Sequence, residues 1–384
     1  LPHVLPETAK RMKELDEEGN GTVTLDRNFG TEGDGRMKFE PFSDGNTKNG
    51  STGIDVWDGR LYYPTYDRGG DAPAHANVGV QDAATGEVID VLDLSEWLVV
   101  DVGAGNQAFS PHDIWVDGTG VYAVGYAGSQ HVKISLDGEL KWLNDNGDGF
   151  ADRINPDTGE MVWYFQFTPH DVHDWDAIKI PVLADIELGG QRRKAMLWAN
   201  RNAFYYTLDR ETGQFLVGKA FALQTWAEGL DENGRPIRRP DTFPTPEGTM
   251  VAPTAGGGTN WWSPSYSPRT GLLYVNAFDG EGELFIRDEE YIEGDIFTGG
   301  GVQSAQPMDA YMSAIRALDP STGDLRWEFP ITPRSRAGVL ATAGNLVFTG
   351  DTDGTFYAFD GTTGALLWPF DTGRGSANSR SHIK

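Results

Sequence analysis

The sequence predicts an all-β fold of many short strands, and its composition carries this prediction. Glycine and proline number 49 and 21 among 384 residues, and both residue types are needed where strands are joined by tight turns. Tryptophan (12) and tyrosine (13) are also frequent, and aromatic side chains favour strands. Long apolar stretches of helical period are scarce. We therefore expect strands and turns rather than a helical bundle.

A recurring motif refines the prediction to a β-propeller with four-stranded blades. A turn glycine is followed four residues later by tryptophan, and the last two copies lie 41 residues apart, close to the period of one blade. Copies without the tryptophan occur at 85–86, 212–213 and 270–271. A tryptophan in this motif is expected to fill the space between neighbouring sheets. The complete copies are Gly138/Trp142, Gly159/Trp163, Gly323/Trp327 and Gly364/Trp368.

Residues 1–53 are predicted to precede the propeller as a short helix and an extended arm. The helix covers residues 6–15, with Pro6 at its start and Thr8 as a cap. Residues 16–21 resemble the first half of a calcium loop, but its twelfth position is Arg27 rather than glutamate. An acidic turn is therefore the favoured interpretation there. The propeller is assigned to residues 54–384, with strand signals at 54–66, 78–94, 121–124 and 131–136.

The charge and the cysteine count exclude several classes of function. The net charge is −26, from 31 basic and 57 acidic residues, and such an acidic surface repels nucleic acid. Adaptation to a salty medium is the simplest interpretation of the acidity. No stretch of about 18 apolar residues occurs, so no membrane span is expected. The chain has no cysteine, so neither a disulfide nor a thiolate metal site is expected.

A loop between two β-type runs carries the densest cluster of titratable residues. The runs cover residues 161–167 and 195–208, and loops between strands commonly carry chemistry. A second His-Asp pair at His112 and Asp113 is either a repeat of the blade pattern or a second contributor to one pocket; a repeat is favoured. The cluster consists of His170, Asp171, His173, Asp174 and Asp176.

Two groups of residues were considered as metal sites. Oxygen atoms at alternate positions, with Gly149 sixth, resemble a structural calcium loop, but a plain polar turn is favoured because the twelfth residue is Asn155. The ligands of the calcium loop would be Asn144, Asn146, Asp148 and Asp152. His170 and His173 are three residues apart and can in principle face one ion. No third nitrogen or sulfur ligand is evident, so a hydrogen-bonding role is favoured for both.

Four motifs in a fixed order resemble the quinoprotein alcohol dehydrogenases. The resemblance covers about residues 158–378, whereas residues 1–150 match poorly. It implies a propeller, with eight blades favoured over six or seven, that uses pyrroloquinoline quinone (PQQ) and a bound calcium. The motifs are TGEMVWYFQFTPHDVHDWD from Thr158, ANRNAFYYTLDRETGQFL from Ala199, GGTNWWSPSYSPRTGLLYV from Gly257 and TAGNLVFTGDTDGTFYAFDGTTGALLWPFDTG from Thr342.

The resemblance also implies roles for particular residues. Asp174 matches the general base, and Arg201 matches the cation that polarises the quinone. Asn260 and Trp261 match residues that contact the cofactor. The upstream motif that supplies an asparagine ligand of the cofactor's calcium has no match, so the metal half of the site is not recognisable.

The expected function is therefore oxidation of an alcohol or aldehyde with bound PQQ. The chain lacks the cysteines of a haem-attachment motif, so the electron acceptor is expected to be a separate cytochrome-type protein. The resemblance implies a periplasmic or extracellular location. The alternative is a non-catalytic propeller that acts in binding or assembly with a vestigial site, in which an oligomer or a partner chain completes the ring.

Overall fold

The computed structural model describes the chain in segments, and the most continuous of them contains the candidate site. The predicted N-terminal helix and arm, the acidic turn at 16–21, Asn146 and Asp148 lie outside the described residues. The described segments are 55–66, 76–85, 87–94, 99–101, 106–108, 111–125, 130–145, 151–280, 282–290, 292, 299–304 and 312–372.

Five antiparallel sheets with four strands each dominate the described residues. In every sheet each strand pairs with the next strand of that sheet along the chain. The sheets are β1–β4 (Asp55–Trp57, Arg60–Tyr66, Ala76–Asp82, Val88–Asp93), β7–β10 (Pro111–Asp117, Gly120–Gly125, Gln130–Ile134, Leu140–Asp145), β13–β16 (Val182–Leu188, Gln191–Ala199, Phe204–Asp209, Phe215–Ala220), β20, β21, β24 and β25 (Ser265–Ser267, Leu272–Asp279, Met312–Leu318, Leu325–Ile331), and β26–β29 (Leu340–Ala341, Leu346–Gly350, Thr355–Asp360, Leu366–Asp371).

Shorter sheets complete the strand inventory of the described residues. They are β5 with β6 (Val99–Asp101, Asn106–Ala108), β11 with β12 (Ala151–Ile154, Met161–Phe165), β17 with β18 (Ala227–Leu230, Pro236–Arg238), and β19, β22 and β23 (Thr249–Val251, Glu283–Ile286, Gly301–Ser304). One 3₁₀ turn covers Pro240–Thr242. Within the described part of the chain, no helix has the length and apolar character needed to cross a bilayer.

The prediction of an all-β fold with four-stranded propeller blades is confirmed. Five such blades lie within the described residues, and the total of eight stays a prediction. The predicted strand over residues 78–94 is two strands, β3 and β4, with a hairpin turn between them. His112 and Asp113 lie in β7, the first strand of the second blade.

The chain divides into two compact units, each with its own core. The described residues of one unit are 55–145 and 154–162, and its core includes Tyr62, Val80 and Ile134. The other unit contains residues 151–153 and 163–372 of the described chain. Its cores are built from the blades that begin at β13, β20 and β26. All residues of the candidate site around Arg201 belong to this second unit.

Alternation of apolar and polar residues explains how the blades bury one set of side chains. In β13 the side chains of Ala184 and Ile186 are buried, whereas that of Leu183, directly before Ala184, is 60% exposed. This is the period of two expected for a strand with one buried face. In β15, by contrast, all six residues from Phe204 to Asp209 are buried, so this strand is covered on both faces.

The glycine–tryptophan motif acts between successive copies. The turn glycine of one copy lies under the indole of the preceding copy, and the indole Nε1 donates to the carbonyl three residues before that glycine. Trp327, for example, donates to Gly361 O at 3.0 Å. A Cβ added to Gly364 would lie 2.6 Å from the Trp327 ring. Equivalent contacts join Trp142 with Gly159, and Trp163 with Gly213.

Candidate active site around Arg201

Asp171 organises the loop that follows β12. Its carboxylate accepts hydrogen bonds from the backbone N–H groups of His173 at 2.9 Å and Trp175 at 2.6 Å. Burial raises the pKa of Asp171, and these two hydrogen bonds oppose the rise. His170 and Asp174 have φ angles of +52° and +65°, a region uncommon for residues with side chains. The loop is thus tied in a conformation that carries Asp174 outward, with its side chain 73% exposed.

The aromatic floor of the loop consists of His173 and Trp175. Their rings stack with centroids 4.4 Å apart. His173 Nε2 lies 2.9 Å from the carbonyl oxygen of Thr242, and Trp175 Nε1 donates to Thr254 O at 2.9 Å. Burial lowers the pKa of His173 to about 4, so this imidazole is neutral at pH 7. His173 therefore has the hydrogen-bonding role favoured from the sequence.

Arg201 lies in the hairpin turn between β14 and β15. The sequence predicted one continuous run over residues 195–208, and this prediction is wrong at residues 200–203. Ala203 has a φ of +71°, and the backbone N–H of Asn200 donates to Phe204 O at 2.9 Å across the turn. The Asn202 side chain accepts from the Phe204 N–H at 3.0 Å, which closes the turn locally. The tight turn places Arg201 at the end of the blade rather than within a strand.

The guanidinium of Arg201 binds two carboxylates of the loop. Nη2 donates to Asp174 Oδ2 at 2.9 Å and to the carbonyl oxygen of Ala255, and Nη1 donates to Asp176 Oδ1. The Arg201 side chain is only 9% exposed. Thus the structure brings Asp174 and Arg201 together and adds Asp176 to the pair; the catalytic roles that the resemblance implies for Asp174 and Arg201 stay a prediction.

The environment of Asp176 favours the protonated form of its carboxyl group. Burial raises the pKa of Asp176 to about 6, and the negative charge of Asp174 also raises it, whereas Arg201 lowers it. A group with a pKa near neutrality changes protonation within the range in which an enzyme works. Two carboxylates therefore share one cation at this site, and one of them titrates close to neutral pH.

A glycine-rich segment packs against the backbone of Arg201. Gly257 has a φ of +79°, and an added Cβ would lie 2.9 Å from Arg201 Cα. The N–H of Gly258 donates to Arg201 O at 2.8 Å. Such a close approach between two backbones excludes any side chain at residue 257. The segment after β19 is consequently held in position against the Arg201 hairpin.

Asn260, Trp261 and Trp262, which follow in the same segment, have different environments. Asn260 folds back on the segment, because its Nδ2 donates to Gly256 O at 2.9 Å and its Oδ1 accepts from the Trp261 N–H at 2.9 Å. The Trp261 side chain is 60% exposed. Trp262 is buried and packs edge-to-face on Phe278, with ring centroids 5.0 Å apart. Trp261 is therefore the indole available to a ligand, and Trp262 belongs to the core.

Comparison with known proteins assigns this part of the chain. Residues 153–219 match the family model described as the β-propeller domain of glucose, ethanol and alcohol dehydrogenases that use PQQ. The quinoprotein alcohol dehydrogenase PedH of Pseudomonas putida is 37% identical over 234 residues. A quinoprotein ethanol dehydrogenase of Pseudomonas aeruginosa is 38% identical over 233 residues. Over this aligned region the chain is similar to quinoprotein alcohol dehydrogenases.

The match is partial in length on both sides. The aligned region covers 59% of this chain and 39% of PedH, and 58% of this chain and 37% of the ethanol dehydrogenase. The chain thus spans well under half the length of these quinoprotein relatives. Residues 312–379 also match a family model described as the outer membrane protein assembly factor BamB.

Solved structures of quinohemoprotein alcohol dehydrogenases share the fold. The enzyme ADHIIG from Pseudomonas putida HK5 superposes with a TM-score of 0.70 at 22% identity, over 84% of this chain and 59% of that chain. The enzyme from Comamonas testosteroni gives 0.60 at 24% identity, over 86% and 54% of the two chains. At these identities the superpositions establish the propeller fold.

The residues around Arg201 fit the quinoprotein cofactor in chemistry. PQQ is a flat quinone that carries carboxylates, so it needs hydrogen-bond donors, a cation and an aromatic or backbone surface. Arg201 Nε is buried without a hydrogen-bond partner among the described residues, which leaves a donor for a ligand oxygen. Trp261 offers an exposed ring in the same segment that packs on Arg201. The donor set is therefore suited to a planar anionic ligand.

Only two of the four predicted calcium ligands lie within the described residues. Asn144 lies near the end of β10 and Asp152 lies in β11, whereas the other two predicted ligands fall outside the described part. In the segments that the structure describes, no group of three or more histidine or acidic side chains is arranged to hold a metal. The structural calcium loop stays a prediction.

Sequence reasoning missed Lys179 and the contact that Asp176 makes in this candidate site. Asp176 was recognised only as part of the acidic cluster, because nothing in the local sequence shows that it reaches the same guanidinium as Asp174. Lys179 was not recognised, and its buried position beneath the Asn260 segment has no signal in the sequence.

Proposed function

We propose that this chain oxidises an alcohol or aldehyde with bound PQQ, with Asp174 as the general base and Arg201 as the group that polarises the quinone. The observation that carries the proposal is the buried guanidinium of Arg201, which binds Asp174 and keeps an unpartnered Nε–H within the described residues. When bound, PQQ supplies the acceptor for the two electrons that leave the alcohol carbon.

Asp174 is suited to accept the hydroxyl proton of the substrate. Its side chain is 73% exposed, so a small alcohol can reach it. The hydrogen bond from Arg201 engages Oδ2 and fixes the direction of the carboxylate, and we assign proton acceptance to Oδ1. A positioned carboxylate typically accelerates proton transfer by about 10² to 10⁴.

Arg201 has enough donors to serve both the carboxylates and the quinone. A guanidinium has five N–H groups, and three of them donate to Asp174, Asp176 and the Ala255 carbonyl. The remaining donors, Nε–H included, are available to a quinone oxygen. Anchoring by two carboxylates also removes the rotational freedom of the side chain, so the donors are pre-oriented.

Asn260 and Trp261 are proposed to hold the cofactor from the glycine-rich segment. The hydrogen bonds within the segment use one N–H of the Asn260 amide, bound to Gly256 O, and one lone pair of its carbonyl oxygen. The amide can therefore also bind a ligand carboxylate. The ring of Trp261 is exposed in the free protein, so it offers a flat surface to the cofactor without leaving the core.

Further parts of the proposal follow from family resemblance. We propose calcium as the metal that accompanies PQQ, a separate cytochrome-type protein as the electron acceptor, and a periplasmic or extracellular location.

A second candidate function is a non-catalytic propeller that acts in binding or assembly. The match of residues 312–379 to the family model of the assembly factor BamB supports it. In this case the Arg201 site would be vestigial and would not take up a cofactor.

Reconstitution separates the two functions. The protein is incubated with PQQ and calcium, freed of unbound cofactor and examined for quinone absorbance, then assayed for dye-linked oxidation of a panel of primary alcohols. Quinone retention with turnover supports the dehydrogenase. An intact fold by circular dichroism without quinone uptake would contradict it and support the assembly function.

A further inference from the structure

Lys179 is a buried lysine directly beneath the glycine-rich segment. It lies between the Asp174 loop and β13, and only 5% of the residue is exposed. Burial lowers the pKa of its amino group to about 7. Lysine is rarely buried to this extent unless its amino group is paired. The proposed mechanism makes no use of this residue.

Three oxygen atoms surround the Lys179 amino group, and all belong to one stretch of chain. Nζ donates to Thr259 Oγ1 at 2.9 Å, to Asn260 O at 3.0 Å and to Trp262 O at 2.5 Å. These three partners are uncharged. The amino group therefore ties the backbone on both sides of Trp261 to one point.

The hydrogen-bond directions require three hydrogens on the Lys179 nitrogen. Two partners are carbonyl oxygens, which only accept. The hydroxyl of Thr259 already donates to Asn276 O at 2.7 Å, so toward Lys179 it also accepts. An ammonium group has three N–H donors and matches three acceptors, whereas a neutral amine has only two. The contacts thus select the charged form, which opposes the effect of burial.

We propose that Lys179 is a positioning residue that holds the Asn260–Trp262 segment where Asn260 and Trp261 reach the cofactor. This inference rests on the proposed function, because it assigns the segment to PQQ. Trp261 is 60% exposed, so little packing of its own side chain holds it. The backbone carbonyls on either side supply the anchor, and Lys179 binds both.

The test compares Lys179→Met with Lys133→Met. Methionine keeps the length of the side chain and removes the amino group. Lys133 is a matched control because it is 6% exposed and donates to a backbone carbonyl, Pro156 O, at 3.1 Å in the other unit. Each variant is titrated with PQQ, and hydrogen exchange of the peptide covering 256–264 is measured without cofactor.

We expect Lys179→Met to weaken PQQ binding by about tenfold or more, since hydrogen bonds to a charged group are lost. We also expect faster exchange in 256–264, whereas Lys133→Met changes neither quantity. Equal PQQ affinity of Lys179→Met and wild type would overturn the positioning role. An equal loss in both lysine variants would overturn it too, since it would indicate a general effect of burial.

A chemical rescue covers the case in which Lys179→Met does not fold. The chain has no cysteine, so Lys179→Cys is the single thiol and can be alkylated in denaturant before refolding. Bromoethylamine restores an ammonium group at nearly the length of lysine, whereas iodoacetamide adds a neutral amide. Recovery of PQQ affinity to within about threefold of wild type with the first reagent alone supports positioning. Equal affinities with both reagents would refute it.

The same experiment distinguishes a failure of the proposed function from a failure of the positioning role of Lys179. Failure of the wild-type protein to bind PQQ would refute the proposed function, and the exchange of residues 256–264 would still show whether Lys179 holds the segment. PQQ binding by wild type together with unchanged exchange in Lys179→Met would refute the positioning role alone.

Discussion

Nη2 of Arg201 donates a 2.9 Å hydrogen bond to Oδ2 of Asp174, although the two residues are separated by 27 positions in the chain. The contact joins a hairpin turn of one blade to the loop that precedes the blade. It fixes the direction of an exposed carboxylate by means of a buried cation. The first two predictions concern Asp174 and Asp176, the two carboxylates that bind this guanidinium.

Replacement of Asp174 by asparagine is expected to remove turnover and leave cofactor binding intact. Asparagine keeps the size and an acceptor oxygen for Arg201 but cannot take a proton at neutral pH. The expected fall in kcat is about 10² to 10⁴, measured by dye-linked oxidation of a primary alcohol after reconstitution with PQQ and calcium. Asp176→Asn is the matched variant at the same guanidinium, and a larger loss there would transfer the role of base to Asp176.

The protonation of Asp176 predicts a pH dependence of the site. Burial raises the pKa of Asp176 to about 6. Because this value exceeds the ordinary value of 3.8, the folded protein binds more protons between about pH 4 and 6. The resulting stabilisation is complete below pH 3.8 and is lost as the pH rises through 6. The free energy of unfolding is measured by chemical denaturation at pH 4, 5, 6 and 7 for wild type and for Asp176→Asn. The difference between the two proteins should fall as the pH rises, and a difference that does not change with pH would contradict the prediction.

The buried imidazole of His173 should give the opposite trend, a loss of stability as the pH decreases, in an overlapping pH range. Its pKa is lowered from 6.5 to about 4 by burial, so the unfolded chain binds the extra proton. Stability is therefore full above pH 6.5 and falls as the pH decreases toward 4, by about 2 to 3 kcal/mol. Denaturation of His173→Gln against wild type at pH 7 and 4.5 measures the effect.

The control for His173 is the exposed imidazole of His170, three residues earlier. His170→Asn suits the positive φ of +52° at this position, because asparagine tolerates the left-handed region. It should keep the wild-type response to pH. If His173→Gln also loses stability by the full wild-type amount at pH 4.5, the imidazole is not the source of the acid sensitivity.

Substitution of the adjacent residues Trp261 and Trp262 should separate an effect on PQQ binding from an effect on stability. Trp261→Ala is expected to leave the free energy of unfolding within about 0.5 kcal/mol of wild type, because the side chain is 60% exposed, and to weaken PQQ binding. Trp262→Ala should cost about 3 to 5 kcal/mol of stability, because this ring is 6% exposed and packs on Phe278. Denaturant unfolding and PQQ titration of both variants test the assignment, and the reverse pattern would disprove it.

The glycine–tryptophan contact between blades predicts a position-specific cost. Gly364→Ala places a Cβ 2.6 Å from the Trp327 ring, whereas Gly271→Ala has no atom within 4 Å at nearly the same φ, +70° against +72°. Both substitutions carry the strain of a positive φ. Gly364→Ala alone should add a packing cost of about 1 to 3 kcal/mol. Equal unfolding midpoints of the two variants would show that the indole contact adds nothing.

Local sequence signals were sufficient to identify the blades. The spacing of glycine and tryptophan identified blades because each turn requires a positive φ and each indole needs a flat neighbour, and both requirements are visible in a few residues. The resemblance likewise placed Asp174 and Arg201 in one site. The hairpin at residues 200–203 was missed because the residues on both sides of it have β propensity. The few polar residues between them are therefore compatible with one continuous strand.

What the sequence by itself determined is the all-β class, the repeat of the blades and the identity of the residues in the Asp174 and Arg201 motifs. Only the tertiary structure decided that Asp176 joins the same guanidinium, that Trp261 is exposed while Trp262 is buried, and that Lys179 binds three acceptors more than 79 positions away. The physical reason is that burial and hydrogen-bond partners arise from contacts between distant segments, and no pattern within a short stretch of chain specifies them.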